Sequence, residues 1–231
     1  MTVLALVPAR AGSRRIPNKN LRDFCGRPLI EWTLESALNC NLIDSVVVST
    51  DSSAIASLSV ARGAEVPFLR PHDLASDSAA TIDVVMHAIK KLPKFDHLLL
   101  LQPTSPLRTT DDLTEAITLA SVNDFFSVIS VSRTHPPLEW ALEIAADGSI
   151  SRAISDKGYV GASRLTYTPN GAVYLAERDW LQREVTLLGQ GTRPYIMPPE
   201  RSVDIDTEFD WQVAEMVMER RQSGKNFGDW R

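Results

Sequence analysis

The chain has 231 residues, a formal net charge of −5 at pH 7 and 44% hydrophobic residues. This length predicts a single α/β domain over residues 1–231, which can bury a core without disulfides or a structural metal. The acidic balance argues against a nucleic-acid or anionic-membrane binder, and no apolar run approaches the roughly 20 residues of a membrane span. The two cysteines, Cys25 and Cys40, lack zinc or redox spacing, and no signal peptide is recognisable. We therefore expect a cytoplasmic protein.

Strand-like and helix-like segments alternate from the N-terminus to residue 132. Apolar or β-branched runs predict strands at 3–7, 45–49, 65–68, 97–102 and 127–132. Apolar residues at helical spacing predict helices at 28–40, 52–62, 82–91 and 110–121, with polar residues 50–52 and Thr81 as candidate N-caps. This alternation predicts a doubly wound, mostly parallel, Rossmann-like sheet. Since parallel strands end at one edge, the loops at 8–20, 50–52 and 102–108 should line one mouth.

The pattern changes after Arg133. Residues 134–167 contain short alternating runs at 140–144 and 149–154, which predict an antiparallel hairpin inserted into the sheet domain. This insert could be a lid, a dimer contact or a plain surface hairpin. The main domain then resumes with predicted strands at 171–175 and 202–205, and with helices at 179–184 and 207–221. Thr207 and Asp210 resemble a capping box for the last helix.

The loop after the first strand carries four cations, Arg10, Arg14, Arg15 and Lys19, around Gly12 and Ser13. A buried strand that leads into such a loop is how α/β proteins present N–H groups and positive charge to phosphates. The alternative is a solvated basic turn, because surface loops often carry charge without function. Neither G-x-x-x-x-G-K-[ST] nor G-x-G-x-x-G occurs, which argues against a P-loop kinase and a nicotinamide dehydrogenase.

A second candidate site is Asp204 and Asp206, which would share one face of a predicted strand. Two carboxylates at a strand end suit a hard cation such as Mg²⁺, and opposite a cationic loop they would hold a nucleotide triphosphate. The structural alternative is that Asp204 pairs with an arginine such as Arg201, while Asp206 contributes to the cap of the last helix. The histidines show no metal-binding spacing and no G-x-S-x-G elbow occurs, so a catalytic triad is disfavoured.

Residues 8–20, PARAGSRRIPNKN, closely resemble the signature loop of the acylneuraminate cytidylyltransferases, also called CMP-sialic acid synthetases and including CMP-legionaminate synthetases. Further matching motifs follow in the family's order: FCGRPL at 24–29, STD at 49–51, LRP at 69–71 with LASD at 74–77, LQPTSPLR at 101–108, NGAVY at 170–174 and DIDT at 204–207. Each motif is weak alone, but the ordered set is specific and spans nearly the whole chain.

The resemblance implies that CTP and a nine-carbon 2-keto sugar acid react, with Mg²⁺, to give the CMP-sugar and pyrophosphate. It implies phosphate contacts from Arg10, Gly12, Ser13 and Lys19, cytidine contacts from Asn20, Arg70 and Thr81, sugar contacts from Gln102, Asn170 and Tyr174, and Mg²⁺ ligation by Asp204 and Asp206. Catalysis would be mainly positioning and charge neutralisation, with Arg10, Lys19 and Asp206 in the catalytic roles. Asp206 or a water bound to the metal could take the hydroxyl proton. The insert at 134–167 would be a homodimerisation arm, with Arg164 reaching the neighbouring sugar site.

The sequence leaves several alternatives for the sugar and for the function. The sugar is N-acetylneuraminate as first choice and legionaminate as second, with pseudaminate less favoured; Glu139 and the absence of obvious aromatic residues near 187–188 depart from some relatives. A 3-deoxy-manno-octulosonate cytidylyltransferase shares the chemistry but typically has Gly-Lys-Pro in this loop. A sugar-1-phosphate nucleotidyltransferase would need a longer chain. A catalytically silent nucleotide-binding module would not need Arg10, Lys19 and both aspartates.

Overall fold

The computed structural model describes residues 1–92, 94–153 and 165–224. In chain order the elements are β1 (Val3–Pro8), β2 (Asp23–Phe24), β3 (Arg27–Pro28), α1 (Leu29–Leu38), β4 (Ser45–Ser49), α2 (Ser53–Ala61), α3 (Thr81–Lys91), β5 (His97–Leu100), α4 (Thr110–Asn123), β6 (Ser127–Arg133), β7 (Leu142–Ile144), β8 (Ile150–Arg152), β9 (Tyr167–Glu177), α5 (Arg178–Glu184), β10 (Arg193–Ile196) and α6 (Glu208–Gln222). Short 3₁₀ turns lie at His72–Ala75, Leu138–Trp140 and Pro199–Arg201.

Six strands form the central sheet in the order β10-β6-β9-β5-β1-β4. Neighbouring strands are parallel except for β9, which runs antiparallel between β5 and β6. The doubly wound, mostly parallel sheet predicted from the alternation of elements is therefore confirmed. Because β1, β4 and β5 are parallel, the loops that follow them emerge at one edge.

Both faces of β1, β4, β5 and β6 are largely buried, which explains why these strands are almost continuously apolar, whereas the edge strand β10 is mostly exposed. Successive residues of β1 point to opposite sides: Val3, Ala5 and Val7 join the core that includes residues of α1 and α4, whereas Leu4 and Leu6 join the core that includes residues of α3 and α5. A third cluster surrounds the fully buried Trp211 of α6 and contains one residue from each of three loops: Ile16, Leu107 and Ile205. This cluster anchors the loops of the carboxyl edge on α6.

Two helix caps are the ones that the sequence predicts, and one is not. Ser52 caps α2 by accepting a hydrogen bond from the Ile55 N–H at 3.3 Å, and Thr207 with Asp210 forms the predicted capping box of α6. The cap predicted at Thr81 is wrong. Ala80 occupies the N-cap position of α3 and Thr81 is its first helical residue.

Two predicted strands are absent from the described part of the chain. Within the segment 65–68 only Glu65 forms an isolated bridge, with Val47, and a second isolated bridge joins Leu69 to Thr50. Residues 202–206 lie in an extended loop between the 3₁₀ turn Pro199–Arg201 and α6. Among the described residues, the Ile205 N–H makes a sheet-like hydrogen bond to the Thr104 carbonyl, at 2.8 Å. Asp204 and Asp206 are therefore presented by a loop rather than by a strand.

The predicted insert contains a two-stranded antiparallel sheet made of β7 and β8. Its apolar side chains Trp140, Leu142, Ile144 and Ile150 are all more than half exposed. Arg164, predicted to contact the sugar, lies outside the described residues. No helix within the described ranges is long and apolar enough to cross a bilayer.

Candidate active site

A cavity of about 380 Å³ opens at the carboxyl ends of β1 and β5. Ten of the predicted site residues line it: Arg10, Gly12, Ser13, Lys19, Asn20, Arg70, Thr81, Gln102, Asp204 and Asp206. A neighbouring cavity of about 470 Å³ shares Arg10, Gly12 and Ser13 and adds Asp51 from the loop after β4. The loops predicted to share one mouth do meet there.

The backbone of the cationic loop is held in place by side chains around it. The Asn20 amide donates to the Arg10 carbonyl at 3.0 Å, and the Ala11 N–H donates to the Asp51 carboxylate at 2.9 Å. Ile16 is fully buried beneath the loop. A Cβ on Gly12 would meet nothing within 4 Å, so the glycine leaves the cavity side of the loop open.

All four cations of this loop contact one of two carboxylates. Arg10 and Arg14 bind Asp77, while Arg15 and Lys19 lie 3.3 and 3.5 Å from the two Asp206 oxygens. The Lys19 ammonium, 13% exposed, also donates to the Ile205 carbonyl at 2.6 Å. Lys19 therefore links the loop after β1 to the loop that carries both predicted metal ligands.

Arg70 enters the cavity from the segment before α3. Its residue is 6% exposed, and two of its guanidinium nitrogens, Nε and one Nη, have no hydrogen-bond partner among the described residues. Burial lowers the pKa of this guanidinium. Unpaired buried cations are costly, so this side chain indicates a site that a ligand completes.

The Asp204 and Asp206 carboxylates face the same cavity. Partial desolvation of the Asp204 carboxylate by the surrounding groups, together with the nearby Asp206 charge, raises the pKa of Asp204. Of the two structural alternatives for this pair, an ion pair between Asp204 and Arg201 does not form, whereas Asp206 does contribute to the cap of α6 through its main chain. The Arg201 guanidinium makes a fork to Asp112, with three N–O distances of 3.0 to 3.2 Å. Thr207 and Asp210 cap α6, and Asp206 contributes to this cap only its main-chain N–H.

A divalent cation fits these residues. No group of three or more metal-binding side chains occurs in the ranges that the structure describes. Mg²⁺, however, commonly uses one or two protein carboxylates and completes its shell with water and substrate phosphates. Two carboxylates that line one cavity beside a cationic loop are such a donor set.

Gly171 in β9 makes the tightest approach in the site. Its φ is +77°, and an added Cβ would lie 2.8 Å from Gln102 Oε1, 3.2 Å from Asp204 Oδ2 and 3.3 Å from Ser105 Oγ. Only glycine suits both this conformation and this contact. Gln102 and Asp204 therefore lie against the bare backbone of β9, a role that the sequence motif did not disclose.

Asn170 is not among the residues that line the 380 Å³ cavity, and its predicted contact with the sugar stays a prediction. Its side chain is buried, donates to Ser202 Oγ at 2.9 Å and accepts from Ser130 Oγ at 2.5 Å. It thus joins β9 to β6 and to the segment before Asp204. Tyr174 is half-buried beside Asp204, and burial followed by the Asp204 charge raises the pKa of its hydroxyl.

Arg108 is a supporting residue that the sequence did not single out. Burial lowers its pKa to about 10, and it is 3% exposed. It donates to the Ala172 carbonyl at 2.8 Å, to Thr33 Oγ1 at 2.8 Å and to the Gln102 carbonyl at 3.4 Å. It therefore joins the loop of Gln102 to β9 next to Gly171. The only signal for it was its place at the end of the 101–108 motif.

A family model described as cytidylyltransferase matches residues 4–135, the span that holds the cationic loop, Arg70 and Gln102. The chain belongs to the cytidylyltransferase family. A CMP-N,N'-diacetyllegionaminic acid synthase from Legionella pneumophila is 36% identical over 229 residues, covering 96% of this chain and 98% of that one. An N-acylneuraminate cytidylyltransferase from Escherichia coli is 31% identical over 96% of this chain, which spans only 54% of that relative.

Among solved structures, a CMP:2-keto-3-deoxy-manno-octonic acid synthetase complexed with CTP aligns with a TM-score of 0.72. The alignment covers 96% of this chain and 100% of the other at 18% identity, and so supports the fold alone. The resemblance drawn from the ordered motifs is confirmed by the family match and by the relatives.

Proposed function

We propose that this cytidylyltransferase transfers CMP from CTP to the anomeric hydroxyl of a nine-carbon 2-keto sugar acid and releases pyrophosphate. The observation that carries the proposal is the meeting, in one cavity, of a four-cation loop, an unpartnered buried guanidinium and two carboxylates. The triphosphate needs the cations of the loop, the cytosine base needs the guanidinium, and the divalent cation needs the two carboxylates. The names of the two relatives support a nonulosonic acid as acceptor.

The cytidine contacts begin with Arg70, whose two free nitrogens can donate to the carbonyl oxygen and ring nitrogen of cytosine. Thr81 lines the cavity at the first turn of α3 and offers its hydroxyl. The Asn20 amide nitrogen already holds the Arg10 carbonyl, so its oxygen is left to accept from a ribose hydroxyl. Binding of the nucleoside would thus satisfy the two Arg70 nitrogens that have no partner in the part of the chain that the structure describes.

Arg10 and Lys19 are proposed to bind the phosphates, with the backbone at Gly12 and the Ser13 hydroxyl beside them. Asp204 and Asp206 would hold Mg²⁺, which supplies positive charge against the phosphates of CTP when it is bound. Cationic hydrogen bonds to phosphate oxygens are roughly twice as strong as neutral ones. The loop therefore favours the group whose negative charge grows as pyrophosphate departs.

In the reaction, the anomeric oxygen forms a bond to the α-phosphorus while the bond from that phosphorus to the bridging oxygen breaks. The electron pair leaves with pyrophosphate, which Arg10 and Lys19 stabilise. The sugar hydroxyl gives its proton to a base, and Asp206 is our candidate because its carboxylate lines the cavity beside Lys19. Gln102 is the proposed sugar contact, held in position by Gly171 and Arg108. Catalysis is mainly positioning and charge neutralisation.

We also propose a cytoplasmic homodimer. The exposed side chains Trp140, Leu142, Ile144 and Ile150 form an apolar hairpin that association would cover. Cys25 and Cys40 are both free, as is usual in a reducing compartment. The sugar is proposed to be of the legionaminate or neuraminate type.

The test is pyrophosphate release from CTP and Mg²⁺ with four acids in parallel: N-acetylneuraminate, legionaminate, pseudaminate and 3-deoxy-manno-octulosonate. We expect release with one of the nine-carbon acids of the legionaminate or neuraminate type, and loss of most activity in Asp206→Asn. Asp111→Asn is the matched control because Asp111 is an exposed acid in the first turn of α4, outside the cavity. It should keep wild-type activity.

Other outcomes separate the alternatives. Release with the octulosonate alone would retain the chemistry and overturn the proposed sugar. No release from folded protein that still binds CTP would favour the silent nucleotide-binding module. Full activity in Asp206→Asn would remove Asp206 from the catalytic and metal-binding roles.

A further inference from the structure

Asp77 is an acidic residue inside a site that should bind an anion. It follows the 3₁₀ turn His72–Ala75 and lines the cavity next to the loop after β1. One of its oxygens lies 2.6 Å from Arg10 Nη2 and the other contacts Arg14 Nε. The hydrogen bond from Arg10 comes first among the effects that hold the pKa of Asp77 below its ordinary range. Asp77 is therefore ionised at neutral pH.

These ion pairs close the cavity from one side. Arg10 and Asp77 line both the 380 Å³ cavity and the neighbouring 470 Å³ cavity, so their ion pair lies between the two. A hydrogen bond from Arg10 Nη1 to the Ala75 carbonyl, at 3.3 Å, adds to this bridge. Arg10, which we propose to bind phosphate, and its neighbour Arg14 thus already have an anionic partner, which belongs to the segment that also carries Arg70.

We propose that Asp77 is a specificity-determining residue that competes with phosphate groups for Arg10 and Arg14 and so sets how tightly the cleft retains pyrophosphate. The inference rests on the proposed assignment of this loop to phosphates. A polyphosphate offers several anionic oxygens and displaces the single carboxylate. When pyrophosphate leaves, Asp77 forms its ion pairs with the two arginines again.

The size of the effect follows from the exposure of the groups. The side chains of Asp77, Arg10 and Arg14 are 35%, 32% and 81% exposed, so each ion pair is screened by solvent. Loss of two such pairs from the empty site should tighten phosphate binding about three- to tenfold. The gain should shrink as salt is raised, because exposed charges are screened.

The experiment measures direct binding of inorganic pyrophosphate, CTP and cytidine to the full chain by calorimetry, at low and high salt. We expect Asp77→Asn to bind pyrophosphate and CTP about three- to tenfold more tightly and cytidine as the wild type does. Stronger product inhibition by pyrophosphate should accompany this change. Asp73→Asn is the matched control, since Asp73 is exposed in the same segment and makes no ion pair in the part of the chain that the structure describes.

Asp77→Glu keeps the charge and should bind close to the wild type. Weaker or unchanged pyrophosphate binding in Asp77→Asn would overturn the proposal, as would an equal gain in Asp73→Asn. A parallel change in cytidine affinity would also overturn it, because Asp77 would then act by shaping the segment around Arg70. If neither the wild type nor any variant bound pyrophosphate, both this proposal and the proposed phosphate-binding role of the loop would be contradicted. Pyrophosphate binding without CTP turnover would count against the proposed reaction alone.

Discussion

Replacement of Gly171 by alanine should damage both the site and the fold. At φ +77° an L-residue costs about 1–2 kcal/mol. The new Cβ would also lie 2.8 Å from Gln102 Oε1 and 3.2 Å from Asp204 Oδ2. The first of these distances is shorter than real Cβ contacts. Since both neighbours are side chains, they can move, and the added loss of stability should stay near 1 kcal/mol.

The effect on activity should be larger because Gln102 and Asp204 are the groups that must move. A displacement of about 1 Å in positioning groups can cost about 100-fold in rate. The assay is kcat/KM for pyrophosphate release, measured beside the free energy of unfolding in urea. Gly191→Ala is the matched control: its φ is +87°, but an added Cβ would meet nothing within 4 Å.

We expect Gly191→Ala to lose about 1–2 kcal/mol of stability and to keep its activity. Gly171→Ala should lose about 2–3 kcal/mol and about 100-fold in kcat/KM. If the two variants had the same activity within about twofold, the close approach at Gly171 would not position the site, and this reasoning would be refuted.

Two further predictions concern charged groups. Arg70→Met should leave the free energy of unfolding unchanged or slightly higher, because a guanidinium with two unpaired nitrogens is removed from a buried place, while the Kd for CTP rises at least tenfold; a marked loss of stability would show that Arg70 supports the fold instead. Arg201→Met should lower the free energy of unfolding by about 2 kcal/mol at pH 7, because Asp112 is fully buried while Arg201 is only partly buried. Burial alone would raise the pKa of Asp112, but hydrogen bonds from Arg201 and Thr109 lower it below 3.8. The stabilisation is therefore present above about pH 4 and is lost as pH falls through the folded pKa, so urea unfolding should show the two proteins converging below about pH 4; a difference that is independent of pH would contradict this.

Much of the fold could be predicted because its signals are local. The strands at 45–49 and 127–132 and the helices at 52–62 and 110–121 follow from β-branched runs, helical spacing and capping residues, and the structure agrees within one or two residues. The errors occurred where the pattern was short. Residues 65–68 and 202–205 have strand-like composition, but they find no continuous partner in the sheet.

The candidate site was predicted in composition more than in geometry. Ten predicted residues line one cavity because parallel strands bring their following loops to one edge. The hydrogen bonds of the Asn170 side chain to Ser130 and Ser202 could not be predicted, because its motif does not specify the direction of the side chain. The sequence did not indicate roles for Asp77, Gly171 and Arg108. Each of these residues contacts residues that are distant in the chain.

The sequence by itself determined the order and type of most elements, the cationic loop, the acidic pair and the family, because these depend on neighbouring residues or on ordered motifs. Only the tertiary structure decided that β9 runs antiparallel between β5 and β6, and that Gly171 therefore lies against Gln102 and Asp204. It also decided which carboxylate each cation meets. Lys19 and Ile205, for example, are 186 positions apart, and no local pattern specifies a contact at that separation. Such contacts arise from the packing of the sheet, its loops and α6 together, which is a property of the whole chain.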